Sequence, residues 1–121
     1  MSMLSNSYKE LTVWQKSMEL VTAVYKLTEQ FPKEELYGLT SQLRRSAVSI
    51  PSNIAEGKYR GSKKDYVQFL RIAFSSGAEL ETQIEIAKRL PSTKNLGFID
   101  IEATLEEVMK MLNALIKKLI Q

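Results

Sequence analysis

The 121-residue sequence contains no cysteine and no histidine. Without cysteine, the chain cannot form a disulfide, a thiolate nucleophile or a cysteine-ligated metal site. Without histidine, it lacks the side chain that most often acts as a general base near neutral pH and as a ligand of transition metals. We therefore expect a protein that is not an enzyme and that uses no metal, no cofactor and no small-molecule substrate.

Long apolar runs are also missing. No stretch approaches the roughly 20 apolar residues that a membrane-spanning helix needs. The N-terminus lacks the cationic start and apolar run of a signal peptide, so we expect no membrane segment and a cytoplasmic location. The length is typical of a single domain. We expect residues 1–8 to be a disordered N-terminus and residues 9–121 to be the folded unit.

Three prolines and five glycines punctuate the chain, and apolar residues recur between them at steps of three and four. This spacing is typical of amphipathic helices. It predicts helices over residues 9–30, from Thr40 or Ser41 to Gly57, over 63–90 and over 98–120, with Ser62 capping the third. Short connections favour antiparallel neighbours, so we predict an all-α, up-down-up-down four-helix bundle.

Pro51 lies in the middle of the predicted second helix. A proline there removes one backbone hydrogen bond and clashes with the preceding turn, at a cost of about 3 kcal/mol in a regular helix. The helix could therefore end at Ile50 or continue with a kink. The apolar spacing runs in register through the proline to Ile54, which favours a second helix that continues and is kinked at Pro51.

Positive charge is concentrated between Thr40 and Arg71, a segment that contains seven cations and two anions. The net charge of the whole chain is only +3. The seven are Arg44, Arg45, Lys58, Arg60, Lys63, Lys64 and Arg71. Lysine and arginine release counterions from phosphates, and a nearby tyrosine can stack on an unpaired base. The segment therefore predicts a nucleic-acid-binding surface. The alternatives are a solvated surface and a docking site for an acidic protein.

Four polar residues share one face of the second helix if that helix is continuous: Arg45, Ser49, Asn53 and Glu56. We interpret them as a structural network in which Arg45 pairs with Glu56, or with Glu79 on the third helix. The catalytic alternative uses Glu56 as a base with Asn53 as its orienting partner. It would need a pocket and a reaction partner, and the sequence pattern indicates neither.

The apolar surface is wider than a monomer requires. The predicted fourth helix is apolar around nearly half its circumference, and Val13 and Trp14 lie side by side in the first. A bundle helix needs an apolar stripe of only about 100° to face the core. We therefore expect one side of the bundle to meet another copy of the chain in a homo-oligomer.

Several segments carry a family resemblance: LTVWQK at 11–16, FPKEE at 31–35, QLRR at 42–45, SIPSNIAEG at 49–57, and the pieces at 69–70 and 79–81. Together they resemble the four-helix bundle proteins encoded within intervening sequences of bacterial 23S rRNA genes. The resemblance covers nearly the whole chain. It implies a left-handed bundle that assembles as a homopentamer and has no established enzymatic activity.

A related bundle is the accessory protein of diversity-generating retroelements, which works with a reverse transcriptase and its RNA. The resemblance therefore implies an RNA or RNA–protein ligand. Ser46 and Ser75 stand where alanine and glycine are usual in this pattern, and both remain small. The sequence thus favours a non-enzymatic oligomer that binds nucleic acid through its basic segment. The alternative is a protein-interaction scaffold that does not bind nucleic acid.

Overall fold

A computed structural model describes residues 7–121 of the chain. Its four α-helices are α1 (Thr12–Thr28), α2 (Leu39–Tyr59), α3 (Lys63–Ala87) and α4 (Ile99–Ile120), with short 3-10 turns at Tyr8–Glu10 and Lys33–Glu35. The described residues contain no strand, so the all-α four-helix prediction is confirmed. Within the same residues, no helix combines the length and apolar character that crossing a membrane requires.

The first helix begins later than predicted. Ser7 accepts a hydrogen bond from the Lys9 N–H at 3.2 Å and caps the 3-10 turn that begins at Tyr8. This turn occupies the start of the segment predicted as helical, so α1 begins only at Thr12. Of the segment predicted to be disordered, residues 1–6 lie outside the described residues, whereas Ser7 and Tyr8 belong to this capped turn.

The predicted cap of α3 is present. The Ser62 hydroxyl accepts a hydrogen bond from the Asp65 N–H at 3.1 Å, and the helix begins at Lys63 as expected. Such a cap satisfies one of the backbone donors that a helix leaves without a partner at its N-terminus. The helix ends at Ala87, three residues before the predicted end, and a turn follows.

The core lies between all four helices. Each helix packs against two neighbours, so that α1 contacts α2 and α4, and α3 contacts α2 and α4. In α2, α3 and α4 the apolar spacing correctly predicts the fully enclosed side chains, among them Leu43, Ile50, Ile54, Leu70, Leu80, Ile84 and Leu112. In α1 the prediction is partly wrong, because the enclosed side chain is Leu20, whereas Met18, which the spacing places on the inner face, is 40% exposed. Burying an aliphatic side chain of this size stabilises a fold by about 1.5–3 kcal/mol, so the bundle rests mainly on this core.

Contacts between α2 and α3 run in reverse order along the two helices. Ser46 bonds Gln83, and three residues later Ser49 bonds Ser76, each at 2.8 Å. A reversed order of this kind is what an up-down-up-down topology requires of consecutive helices. The topology of the whole bundle and its left-handed twist stay predictions.

Pro51 lies inside α2, which runs without interruption from Leu39 to Tyr59. The alternative in which the helix ends at Ile50 is therefore excluded, and the kink itself stays a prediction. Pro51 is buried, and its ring lacks the N–H that a helix normally donates to the carbonyl four residues back. Just before it, the Ser49 carbonyl accepts the Asn53 side-chain amide at 2.8 Å, which adds a local hydrogen bond.

Candidate nucleic-acid interface

The seven predicted cations fall into separate places on the bundle. Lys58, Arg60, Lys63 and Lys64 surround the junction of α2 and α3, which we call the basic corner. Arg71 is exposed on α3, eight residues after Lys63, or about 12 Å along the helix axis. Arg44 and Arg45 lie in the first half of α2, about 20 Å from Lys58 along the same axis. Arg44 and Arg45 are therefore separated from the basic corner by more than half the length of α2.

The backbone at the basic corner turns sharply. Gly61 has a φ of 86°, which lies in the left-handed region that favours glycine. The turn brings the end of α2 next to the capped start of α3, whose first turn carries Lys63 and Lys64. The N-terminus of a helix carries partial positive charge, so these two cations add to the local field and do not stabilise the helix.

The lysines of the corner keep their charge available. Lys58, Lys63 and Lys64 are exposed, and among the described residues none of them forms an ion pair. The Lys58 ammonium group lies 5.5 Å from the centre of the Tyr66 ring, within the range of a cation–π contact. Such a contact orients the lysine without neutralising it, so all three charges remain open to an anionic ligand.

Arg60 differs from these lysines because it is partly neutralised. Its guanidinium bonds the Glu56 carboxylate at 3.1 Å, one turn earlier on α2, and lies 5.0 Å from the centre of the Phe69 ring. Both partners of the ion pair are about half exposed, and an exposed pair of this spacing contributes only about 0.3–0.5 kcal/mol. A phosphate could therefore compete with Glu56 for this arginine at little cost.

Tyr66 lies beside the corner and lines a groove of about 290 Å³ together with Lys58 and Lys63. Its hydroxyl is buried and has no hydrogen-bond partner among the described residues. Burial raises the pKa of Tyr66 above its ordinary value, because the phenolate would lose its hydration. The hydroxyl therefore stays protonated at neutral pH and adds no negative charge to the corner.

The predicted network around Arg45 needs a correction. Arg45 is exposed and forms no hydrogen bond or ion pair with the described residues. Glu56 pairs with Arg60, and a Glu79 carboxylate oxygen lies 3.3 Å from the Ser46 hydroxyl. The reason is geometric. Arg45 and Glu56 are three helical turns apart, or about 16 Å along α2, which is too far for an ion pair.

The network that exists is centred on Ser46, one position beyond Arg45. Ser46 is buried, and its hydroxyl donates to Oε1 of the buried Gln83 at 2.8 Å. The predicted members Ser49 and Asn53 do contact one another, since the Asn53 amide lies 3.0 Å from the Ser49 hydroxyl. Sequence reasoning missed Ser46, although it stands three residues after Leu43 in the apolar stripe and therefore faces the core.

The contacts of Glu56 do not favour the catalytic alternative. A general base needs a partner that orients it and a site that holds the reacting group. Glu56 is exposed and ion-paired with Arg60, whereas the Asn53 amide is directed to Ser49. No three acidic side chains of residues 7–121 come close enough together to hold a metal ion.

Comparison with known proteins agrees with this fold. Residues 9–114 match the family model described as 23S rRNA-intervening sequence protein. The chain is also similar to a crystal structure of a protein with unknown function, from the S23 ribosomal protein family of Bacteroides thetaiotaomicron. The two share 26% sequence identity with a TM-score of 0.72, over 88% of this chain and 99% of that chain. The comparison with curated proteins finds no match. Because the family model matches most of the length of this chain, the chain belongs to the 23S rRNA-intervening sequence protein family.

Proposed function

We propose that this protein binds structured RNA, alone or within an RNA–protein complex, through the basic corner, and that it is not an enzyme. The observation that carries the proposal is the set of three exposed lysines, Lys58, Lys63 and Lys64, without ion-pair partners among the described residues. Each such cation that neutralises a phosphate releases a condensed counterion, which drives association. We also propose a cytoplasmic location, since structured RNA is present there.

Two further observations favour RNA over an acidic protein. Tyr59 is 61% exposed at the end of α2, next to the basic corner, and its ring packs against Tyr8 at 5.8 Å between centres. An exposed ring beside cations can stack on an unpaired base, whereas a carboxylate makes no use of it. The family description also refers to an intervening sequence of rRNA, which supports RNA as the first ligand to test.

The proposal includes assembly of several copies, and the homopentamer implied by the resemblance is the form we propose. The surplus apolar surface is spread over several helices, and the face we propose for assembly is the groove between α1 and α2 that is lined by Trp14, Met18 and Ala55. On α4 the stripe is largely packed on the core, and Ile99 and Ile120 at its ends are the strongly exposed members. Assembly would place several basic corners on one particle, so that weak single contacts add up to useful avidity.

Light scattering on purified protein tests the assembly. A mass several times that of the chain is expected, and it should fall when glutamate replaces Met18, because charge on the shared face opposes burial. A single monomeric mass at tens of micromolar would contradict the assembly and leave RNA binding by the monomer to be judged separately.

A charge-matched pair of variants tests RNA binding. In the first, glutamine replaces Lys58, Arg60, Lys63 and Lys64, and in the control it replaces Lys26, Arg89, Lys94 and Lys110, which are exposed and lie on α1, on α4 and on the turn between α3 and α4. Fluorescence anisotropy with a labelled RNA hairpin should show a loss of affinity of at least about tenfold for the corner variant only, since only there are phosphate contacts removed.

Two results would contradict the proposal. Equal losses in the two variants would mean that net charge, and not the corner, determines the affinity. Failure of the parent to bind the hairpin, together with binding of an acidic polypeptide such as poly-glutamate, would assign the corner to a protein-interaction scaffold.

A further inference from the structure

A second surface lies at the other end of α2. The end of α1, the turn before α2 and the first half of α2 enclose an open groove of about 460 Å³. It is lined by Tyr25, Leu36, Tyr37, Arg44, Arg45 and Val48, and no acidic side chain contributes to its walls. We call it the tyrosine–arginine groove. Arg44 stands fourteen residues before Lys58, so the groove lies about 20 Å from the basic corner.

Arg44 is held in place on one side of this groove. Its Nε donates to the buried Thr28 hydroxyl at 2.8 Å, and the Thr28 hydroxyl in turn donates to the Val24 carbonyl at 2.8 Å. The guanidinium carbon lies 4.5 Å from the centre of the Tyr25 ring, which supports the plane of the group from one face. Only one of the five guanidinium N–H donors is used, so the terminal nitrogens keep four for a ligand.

Tyr37 stands on the other side and is 94% exposed. Its turn is well anchored, because the Gly38 N–H donates to the Glu35 carbonyl at 3.0 Å and the Leu39 N–H donates to the Glu35 carboxylate at 3.2 Å. The second bond also directs the Glu35 charge toward the N-terminus of α2. An aromatic ring held so fully in water contributes almost nothing to the core.

We propose that the tyrosine–arginine groove binds an unpaired nucleotide, with Tyr37 stacked on the base and Arg44 and Arg45 on the phosphate. Arg44 supplies fixed donors in the plane that suits a phosphate, and the exposed Arg45 adds a second charge without an ion-pair partner among the described residues. Single-stranded RNA is typically held by aromatic stacking combined with backbone contacts of this kind.

This inference rests on the proposed function, since it gives the same RNA a second contact of a different type. The basic corner offers point charges, which suit the phosphates of any strand, whereas the groove combines a ring with a guanidinium. A folded RNA could place duplex phosphates on the corner and an unpaired loop base in the groove. An acidic peptide would use the arginines but would leave the Tyr37 ring without a role.

Three variants and three probes test the inference by anisotropy. The probes are a short single-stranded oligouridylate, an abasic strand of the same length and a blunt RNA duplex. Tyr37→Ala should weaken binding of oligouridylate by about tenfold, as expected when one stacking contact is lost. It should leave the affinities for the abasic strand and the duplex unchanged. Tyr37→Phe keeps the ring and should bind oligouridylate as the parent does.

The corner variant with four glutamines is the third protein, and it separates this inference from the proposed function. It should lose duplex binding, and Tyr37→Ala added to it should still weaken binding of oligouridylate by about tenfold. Duplex binding by the parent without any effect of Tyr37→Ala would overturn the groove and leave the corner standing. A Tyr37 effect in a parent that does not bind duplex would support the groove and overturn the corner. Binding of poly-glutamate in preference to oligouridylate, with equal affinity in the parent and in Tyr37→Ala, would overturn the groove as a nucleotide site.

Discussion

The contact between α2 and α3 and the contacts of α4 hold the bundle together in different ways. Between α2 and α3 the close contacts are made by small residues and hydrogen bonds, such as Ser49 to Ser76, and no ion pair joins these two helices among the described residues. At α4, by contrast, Lys88 after the end of α3 bonds Glu102 at 2.8 Å, and Lys16 of α1 lies 3.5 Å from Glu107.

This difference decides which charges are available to a ligand. On the α4 side, cations such as Lys88 and Lys16 are paired with carboxylates of a neighbouring helix, and these carboxylates raise the lysine pKa values. At the basic corner, Lys58 and Arg60 contact α3 only through aromatic rings, and among the described residues its three lysines form no ion pair. Because these lysine charges are not neutralised within the fold, we propose the α2–α3 side as the functional one.

Added volume should damage the α2–α3 contact most. A Cβ on Gly57 would stand 2.7 Å from the Cβ of Phe69, whose position is set by the backbone of α3. We expect Gly57→Ala to lower the free energy of unfolding by about 2 kcal/mol, measured by urea denaturation, because the two helices must move apart.

Gly77 provides the matched control between α3 and α4. A Cβ there would overlap the sulfur of Met109, which lies near the end of a flexible side chain that can swing aside. Alanine also gains about 1 kcal/mol over glycine in a helix interior, so Gly77→Ala should stay within about 1 kcal/mol of the parent. Equal losses at the two glycines would contradict the idea that α2–α3 is the tighter contact.

Loss of the Ser46 hydroxyl should have the next largest effect. Ser46→Ala leaves the buried side-chain oxygen of Gln83 without this donor, which should cost about 1 kcal/mol after allowance for the better helix propensity of alanine. The exposed Ser75→Ala is the control and should be neutral or slightly stabilising. Thermal melting of both variants measures the difference. If they melt alike, the α2–α3 network does not contribute to stability.

The two neighbouring arginines of α2 should differ in their contributions to stability, by a smaller amount than the two serines. Arg44→Gln removes the bond to Thr28 and the stacking on Tyr25, so we expect a loss of about 1 kcal/mol. The free energy of unfolding of Arg45→Gln should stay within about 0.5 kcal/mol of the parent value, because an exposed side chain without partners contributes little. A larger loss at Arg45 than at Arg44 would return Arg45 to the structural role that the sequence first predicted for it.

The smallest effect concerns alkaline pH. Hydrogen bonds to Glu102 and then Glu85 raise the pKa of Lys88 above the ordinary value of 10.5, and the charge of Glu107 does most to raise the pKa of Lys16. Because the pKa of each lysine is raised in the folded state, its contribution to the stability of the fold is complete below pH 10.5. The contribution is lost as the pH rises through the folded-state pKa. Lys88→Gln should therefore make the melting temperature less sensitive to pH in this range, and Glu102→Gln should do the same, because it removes the main cause of the raised Lys88 pKa.

Apolar spacing was sufficient to predict the four helices, because burial of one face dominates the stability of each. The same spacing places Ser46 on the inner face of α2 and Arg45 outside it, because the two differ by a rotation of about 100° on the helix. The spacing could not predict that Gln83 bonds Ser46, because that contact depends on how α2 and α3 pack against each other. The exposure of Tyr37 could not be predicted either, since a single aromatic residue in a turn has no periodicity that marks it as exposed.

The central claim is that the cations of the basic corner contact RNA phosphates, and a salt titration of hairpin binding tests it most directly. For the parent, the logarithm of the affinity should fall linearly with the logarithm of the salt concentration. The corner variant with glutamine at Lys58, Arg60, Lys63 and Lys64 should show a slope shallower by about 3, since each phosphate contact contributes about 0.7–0.9. Equal slopes in the two proteins, or no binding by the parent even near ~50 mM salt, would contradict the account.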